Sequence, residues 1–340
     1  MAVCPEIDPD SPLQFVINAA AKSSDADATR EVIETALRAA GRSGELLFSH
    51  SADLARVAQQ AAIKAHATRA AVVAVGGDGT LNTVAQSAHA VGCAMGVVAQ
   101  GTFNYFARTH GIPADPTEST RLLLRAVPSP VQVAAVNDRV FLVNASLGLY
   151  PDLLEDREAY KARFGRSRWV AFWAASATLL RAHRQLRLHI EAGDVVRDVR
   201  TLTLFVGNNR LQLEQVGVQP QEQGNAGSAD APDDGFITAV MLRPIGTLSM
   251  IRLVLHGAMG TLGESQSVER FRFKHMTVMP ALAIGHRGVK IAFDGEVTHM
   301  RAPCSFRVLA KPLYLLKPRL TENVIDTAND TAARSDGTVG

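Results

Sequence analysis

The chain has 340 residues, 47% hydrophobic and 20% charged, which excludes disorder throughout and leaves room for two domains at the usual ~100–200 residues each. Thirty-five Lys and Arg against 33 Asp and Glu leave a net charge of +2, so a broadly basic nucleic-acid binder is excluded and any charged surface must be local. The three cysteines, Cys4, Cys93 and Cys304, are odd in number and lack CxxC spacing, which argues against a disulfide framework or a zinc site and suits a reducing cytoplasm.

The opening MAVCPEIDPDSPLQF has no basic segment leading into an apolar core, so no secretory signal is expected. Residues 15–17 read as a strand, and a helix follows over 25–40 with Ile33, Leu37 and Ala40 on one face and Gly41 as its stop. The unit recurs. A strand at 46–48 precedes a helix with Leu54, Val57 and Ala61 inward; 70–75 precedes 81–91; 95–99 precedes a helix beginning near Asn104. Asp115-Pro116-Thr117-Glu118 is a helix start, with a capping acceptor and a proline in the first turn. Alternating strands and helices predict a doubly wound parallel sheet covered on both faces, whose ligands sit at the carboxyl ends of the strands. The uncharged stretch 79–107 is not a membrane span, because Asn82, Gln86, His89, Gln100 and Asn104 are costly in hydrocarbon.

Pro128 and Pro130 mark the predicted end of this first domain, at 12–128, and a second domain follows at 129–310. There, 131–135 and 140–144 flank Asn137-Asp138 as a hairpin, and further strands are predicted at 187–190, 201–206, 236–242, 289–293 and 306–309. This half is mostly antiparallel β and sandwich-like. Helical insertions are expected at about 152–184 and 246–257, a polar loop at 219–232, a strand at 311–318 that returns to the first domain, and a flexible tail over 319–340. No internal repeat is evident.

The sharpest local signal is a buried strand running into Gly76-Gly77-Asp78-Gly79-Thr80-Leu81-Asn82. A strand that delivers glycines to a helix start presents bare N–H groups and a helix dipole to phosphate oxygens. A tight turn would use glycines too, but the flanking strand and helix are what phosphate binding requires. Neither GxxxxGK[ST] nor GxGxxG is present.

A second glycine turn, Gly101-Thr102-Phe103-Asn104-Tyr105-Phe106-Ala107-Arg108, leads to Gly111-Ile112-Pro113. GGDGTLN followed by GTxNxxAR and GIP resembles the diacylglycerol kinase catalytic domain, a family of lipid kinases that includes sphingosine and ceramide kinases. Asn144-Ala145-Ser146-Leu147-Gly148, Asp233-Asp234-Gly235-Phe236 and Asp294-Gly295-Glu296 extend the resemblance, in order, to about residue 312. It implies an α/β domain and an antiparallel β-sandwich-like domain with an active-site cleft between them, and transfer of the γ-phosphoryl group of ATP, with Mg²⁺, to a lipid hydroxyl. Diacylglycerol, ceramide and sphingoid bases are the substrate classes it implies.

Carried onto these positions, the resemblance gives Gly76, Gly77, Asp78, Gly79, Thr80, Leu81 and Asn82 to the ATP phosphates, and Thr102 and Asn18 to the nucleotide site. The usual proline after Asn18 is absent; the chain reads Asn18-Ala19-Ala20-Ala21-Lys22. Asp294 and Glu296, at i and i+2, would face one side of an extended segment, with one of them the general base. An additional Mg²⁺ would map to Asp234 and the carbonyls of Ala231 and Phe236. Many bacterial members carry aspartates where this chain has Tyr105 and Gln132, which leaves Asp78 as the remaining carboxylate of that network.

Between Tyr160 and Arg187 lie seven basic residues and no acid, with Trp169, Phe172, Trp173 and Leu180 on one helical face. Flanking arginines around an aromatic stripe suit a helix lying on an anionic membrane, and packing on the β domain explains the same pattern. The expectation is a cytoplasmic, peripherally membrane-associated lipid kinase with no nucleic-acid partner, its oligomeric state open and a homodimer allowed. Its rivals are an NAD kinase-like enzyme, which shares GGDGT but not the second turn or DGE, and a catalytically silent lipid- or nucleotide-binding regulator.

Overall fold

The computed structural model describes residues 4–19, 23–101, 103–148, 151, 185–208, 235–242, 268–281 and 288–318. The predicted insertions at 152–184 and 246–257, the loop at 219–232 and the tail over 319–340 lie outside them. Contacts divide the chain into two units, Met1–Val131 with Lys311–Gly340, and Gln132–Ala310.

In the first unit β1 (Leu13–Asn18), α1 (Ser23–Ala39), β2 (Gly44–Ser49), α2 (Leu54–Ala67), β3 (Ala71–Gly76), α3 (Asp78–Val91) and β4 (Ala94–Ala99) alternate along the chain. Two shorter helices, α4 (Tyr105–Thr109) and α5 (Pro116–Arg125), precede β5 (Val127–Val131), and β18 (Leu313–Lys317) is supplied from the far end of the chain. The sheet order is β2-β1-β3-β4-β18-β5; β1 to β4 are parallel, β18 runs parallel to β4, and β5 is antiparallel to β18. Every residue of β3 and of β4 is buried, as expected of strands covered on both faces. The helix start at Asp115 is built as its residues dictate: the carboxylate accepts the amides of Thr117 and Glu118 at 2.9 Å each, and Pro116 opens the helix.

Pro128 and Pro130 do not end the unit. They lie inside β5, an edge strand, where a missing N–H leaves no interior ladder position empty. The reversal of strand order falls between β1 and β3, so their carboxyl ends, Asn18 and Gly76, meet at the switch point where sheets of this kind bind ligands.

The second unit contains two six-stranded antiparallel sheets. One has the order β10 (Val195–Thr201), β9 (Leu186–Ala192), β14 (His275–Pro280), β17 (Cys304–Val308), β6 (Ala134–Val136), β7 (Arg139–Phe141). The other has the order β13 (Val268–Phe273), β12 (Ile237–Leu242), β11 (Thr203–Gly207), β8 (Asn144–Gly148), β15 (Gly288–Phe293), β16 (Glu296–Arg301). Phe141, Leu188, Met276 and Phe306 from the first pack with Leu147, Leu204, Ile237 and Ile291 from the second in one core, so the two sheets face each other as a sandwich.

The predicted hairpin over 131–144 is divided between these sheets. Its turn is Asn137-Asp138, flanked by Val136 opposite Arg139, but β7 ends at Phe141 and the chain crosses through Leu142 and Val143 before β8 begins. That crossing leaves backbone groups without a ladder, and their partners come from elsewhere in the unit. Among the described residues, no helix is long and apolar enough to cross a membrane.

Candidate functional site

At the carboxyl ends of β3 and β4 the two glycine turns touch. A side chain on Gly77 would have its Cβ 3.3 Å from Gly101 Cα, and one on Gly101 would lie 2.8 Å from Gly77 Cα and 2.6 Å from Asn104 Oδ1. Only glycine fits at Gly101, and the two motifs form a single cradle. Gln100 N–H donates to Gly76 O at 2.9 Å, and Gly101 N–H donates to Asn104 Oδ1 at 2.8 Å. Asn104 holds the αL conformation at φ 50°, one that asparagine tolerates better than most residues, and starts α4.

Helix α3 starts inside the cradle. Its N-cap, Gly77, has no side chain to satisfy the first-turn amides, so the N–H groups of Asp78, Gly79 and Thr80 lack intrahelical acceptors. The Leu81 amide already donates to Gly77 O at 3.0 Å, and the Leu81 side chain is fully buried. Leu81 therefore belongs to the core, and Asn82, one residue deeper in the helix, is buried as well. The Thr80 hydroxyl accepts from Asn18 Nδ2 at 3.1 Å, a contact that a Cβ at Gly76, 2.7 Å from Thr80 Oγ1, would disrupt.

Asp78 joins the two turns. The amides of Phe106, Tyr105 and Asn104 hydrogen-bond to its carboxylate and lower its pKa, but burial, the largest effect, raises it above the usual carboxylate value. Its Oδ1 is buried and makes no hydrogen bond. Tyr105 stacks its ring on Phe103, with centroids 5.3 Å apart. Arg108 is exposed on α4.

In the second unit, Asp294 and Gly295 are the two turn residues between β15 and β16, with Phe293 opposite Glu296. Both have positive φ, 46° and 87°, the type I′ pattern that Asp-Gly favours. The expected extended segment with two carboxylates on one side is therefore replaced by a hairpin turn that separates them. Asp294 is only 5% exposed. Its Oδ2 accepts Leu142 N–H at 2.7 Å, and its Oδ1 accepts Val143 and Asn144 N–H at 2.8 and 3.1 Å. These are the amides freed where the chain crosses between sheets. Glu296, at the start of β16, is exposed.

Phe236 does not offer its carbonyl freely to a metal: that oxygen accepts the Gln132 side-chain amide at 3.0 Å. Thr102, Asp234, Ala231, Trp169, Phe172 and Trp173 lie outside the described residues, among which no cluster of three or more His, Cys, Asp or Glu could hold a metal. Sequence reasoning did not single out Asn104 or Asn208. Asn104 was legible as an αL-tolerant residue after a glycine turn. Asn208, which holds the carbonyls of Val143 and Leu142 at 2.9 and 3.0 Å, carries no local signal.

Residues 12–136 match the family described as the diacylglycerol kinase catalytic domain. A protein of Pectobacterium atrosepticum named "Probable lipid kinase YegS-like" is 30% identical over 145 residues, 41% of this chain and 48% of that protein. One of the same name from Serratia proteamaculans is 29% identical over 164 residues, 46% of this chain and 52% of that protein. The chain thus spans about half the length of these relatives. The crystal structure of a diacylglycerol kinase from Bacillus anthracis str. Sterne superposes with a TM-score of 0.64 at 16% identity, covering 90% of this chain and 96% of that one, a likeness of fold.

Proposed function

We propose that this chain, whose residues 12–136 match the diacylglycerol kinase catalytic-domain family, transfers the γ-phosphoryl group of ATP to the hydroxyl of a lipid. The observation that carries the reading is the cradle: two abutting glycine turns at a switch point, opening onto the uncapped start of α3. The amides of Asp78, Gly79 and Thr80 are the groups assigned to the phosphates, with Asn18 and Thr80 fixing the wall of the site.

ATP arrives as its magnesium complex, and that cation, part of the substrate, offsets charge on the transferred group. The residues fit it at one place, since Asp78 Oδ1 is a buried carboxylate oxygen without a hydrogen bond. Of the two carboxylates in the DGE motif, Glu296 is assigned as the proton acceptor. Asp294 is not assigned that role because three backbone amides already occupy its two oxygens. In the assigned reaction the lipid oxygen bonds to the γ-phosphorus, the bond to the β-phosphate oxygen breaks, Glu296 takes the hydroxyl proton, and ADP leaves.

The acceptor is a diacylglycerol-, ceramide- or sphingoid-like lipid, reached at an anionic membrane surface through the basic, aromatic segment over 160–187. The test is incubation of the full chain with γ-labelled ATP, Mg²⁺ and vesicles containing each lipid in turn, with NAD as a soluble control. Label should move to a lipid. Absence of lipid labelling by protein that binds ATP contradicts the reading.

A further inference from the structure

Gln132, the first residue of the second unit, sits at a convergence of oxygens. Its Nε2 lies 3.1 Å from Asn208 Oδ1, 3.3 Å from Asn208 O and 3.0 Å from Phe236 O. Its Oε1 accepts Gly235 N–H at 3.0 Å, and its own carbonyl accepts Asn208 Nδ2 at 3.0 Å. The orientation of the amide is fixed by its partners, because a backbone N–H only donates and a backbone carbonyl only accepts.

We infer that the Gln132 amide holds Gly235 and Phe236, at the start of β12, in place of a metal ion. Three oxygens directed at one point are the donor set of a hard cation. Here that point is occupied by an uncharged nitrogen whose two hydrogens are the positive end of the amide dipole. A cation sharing Phe236 O would face those hydrogens at close range, and Gln132 brings no negative charge to offset it. The magnesium implied by the family resemblance therefore does not fit at Phe236.

The clamp also spans the unit. Through Asn208, which holds the carbonyls of Leu142 and Val143, it joins the start of β12 to the crossing between the sheets and to the end of β11. Placing a carboxylate at this position removes the two donors and leaves the oxygens around a negative group. Gln132→Glu, nearly the same shape, thus creates a cation site that the natural chain lacks.

Thermal unfolding of the full chain without nucleotide, in EDTA and in excess Mg²⁺, tests this without reference to activity, so its failure leaves the kinase proposal standing. The wild-type midpoint should be the same in both conditions, to within about 1 °C. Gln132→Met, which keeps the bulk and loses the clamp, should melt about 5 °C lower in both. Gln132→Glu should fall by a similar amount in EDTA and recover at least half of the loss with Mg²⁺. A wild-type midpoint that rises by several degrees with Mg²⁺ overturns the inference even if neither variant folds. So does a Gln132→Met protein that melts with the wild type, or a Gln132→Glu protein that Mg²⁺ does not rescue.

Discussion

Two aspartates, half-buried Asp78 in the first unit and buried Asp294 in the second, are each met by three consecutive backbone amides, which leave one carboxylate open and close the other. Asp78 receives the amides of residues 104–106 at the start of α4, but burial outweighs them, its pKa is raised, and Oδ1 is left without a hydrogen bond. Asp294 receives the amides of residues 142–144 on both oxygens, in the turn that closes β15 onto β16. The same count of donors gives an open carboxylate in the first case and a closed one in the second. What decides is where the donors come from. At Asp78 they belong to a helix start, whose amides point one way, and at Asp294 to a strand crossing that wraps around both oxygens.

The comparison breaks first at Asp294. Asp294→Ala leaves three buried amides without acceptors, at ~1–3 kcal/mol for each such loss, and places alanine where φ is positive. Allowing for relaxation, the second unit should lose about 4 kcal/mol by denaturant titration. A loss under about 1 kcal/mol would mean that water replaces the carboxylate and the site is not closed.

A smaller effect is expected at His110, packed edge-on against Phe106 with ring centroids 4.7 Å apart. Burial, with Lys317 adding to it, pushes its pKa down to about 3. The unfolded chain takes up this proton near pH 6.5 and the folded chain does not, so stability should be full above pH 6.5 and fall as the pH drops from there toward 3. Between pH 6.5 and 5 the fall is about 2 kcal/mol, and His110→Phe should remove that share of the slope. An unchanged slope in the variant would place the charge loss elsewhere.

The smallest stability effect belongs to Asp78. Its raised pKa means that the charged form costs stability at neutral pH, so Asp78→Asn should alter stability by less than about 1 kcal/mol while lowering the affinity for magnesium ATP by tenfold or more. Equal affinity in calorimetric titration would remove Asp78 from the nucleotide site.

The first unit was largely legible because its central strands β3 and β4 are buried on both faces and α5 carries a clear start signal at Asp115. Of the strands that escaped the reading, β10, β13 and β16 lie at sheet edges. Edge strands carry charge, here Arg197, Asp198, Arg270, Arg272 and Arg301, which hides the alternation. The glycine cradle was readable as local chemistry. The roles of Asp294 and Gln132 were not, since both depend on partners far away in sequence: the amides that Asp294 holds are 150 to 152 residues from it, and Gln132 is 76 residues from Asn208. A DGE triplet shows two carboxylates, and only the hairpin shows that one of them is already used.

The most direct measurement is the rate at which the full chain moves the labelled γ-phosphoryl group of ATP onto a lipid hydroxyl, with wild type and Glu296→Gln side by side. The variant should transfer at least about 100-fold more slowly while keeping its melting midpoint and its affinity for magnesium ATP. Equal rates, or a wild type that labels no lipid, would contradict the account.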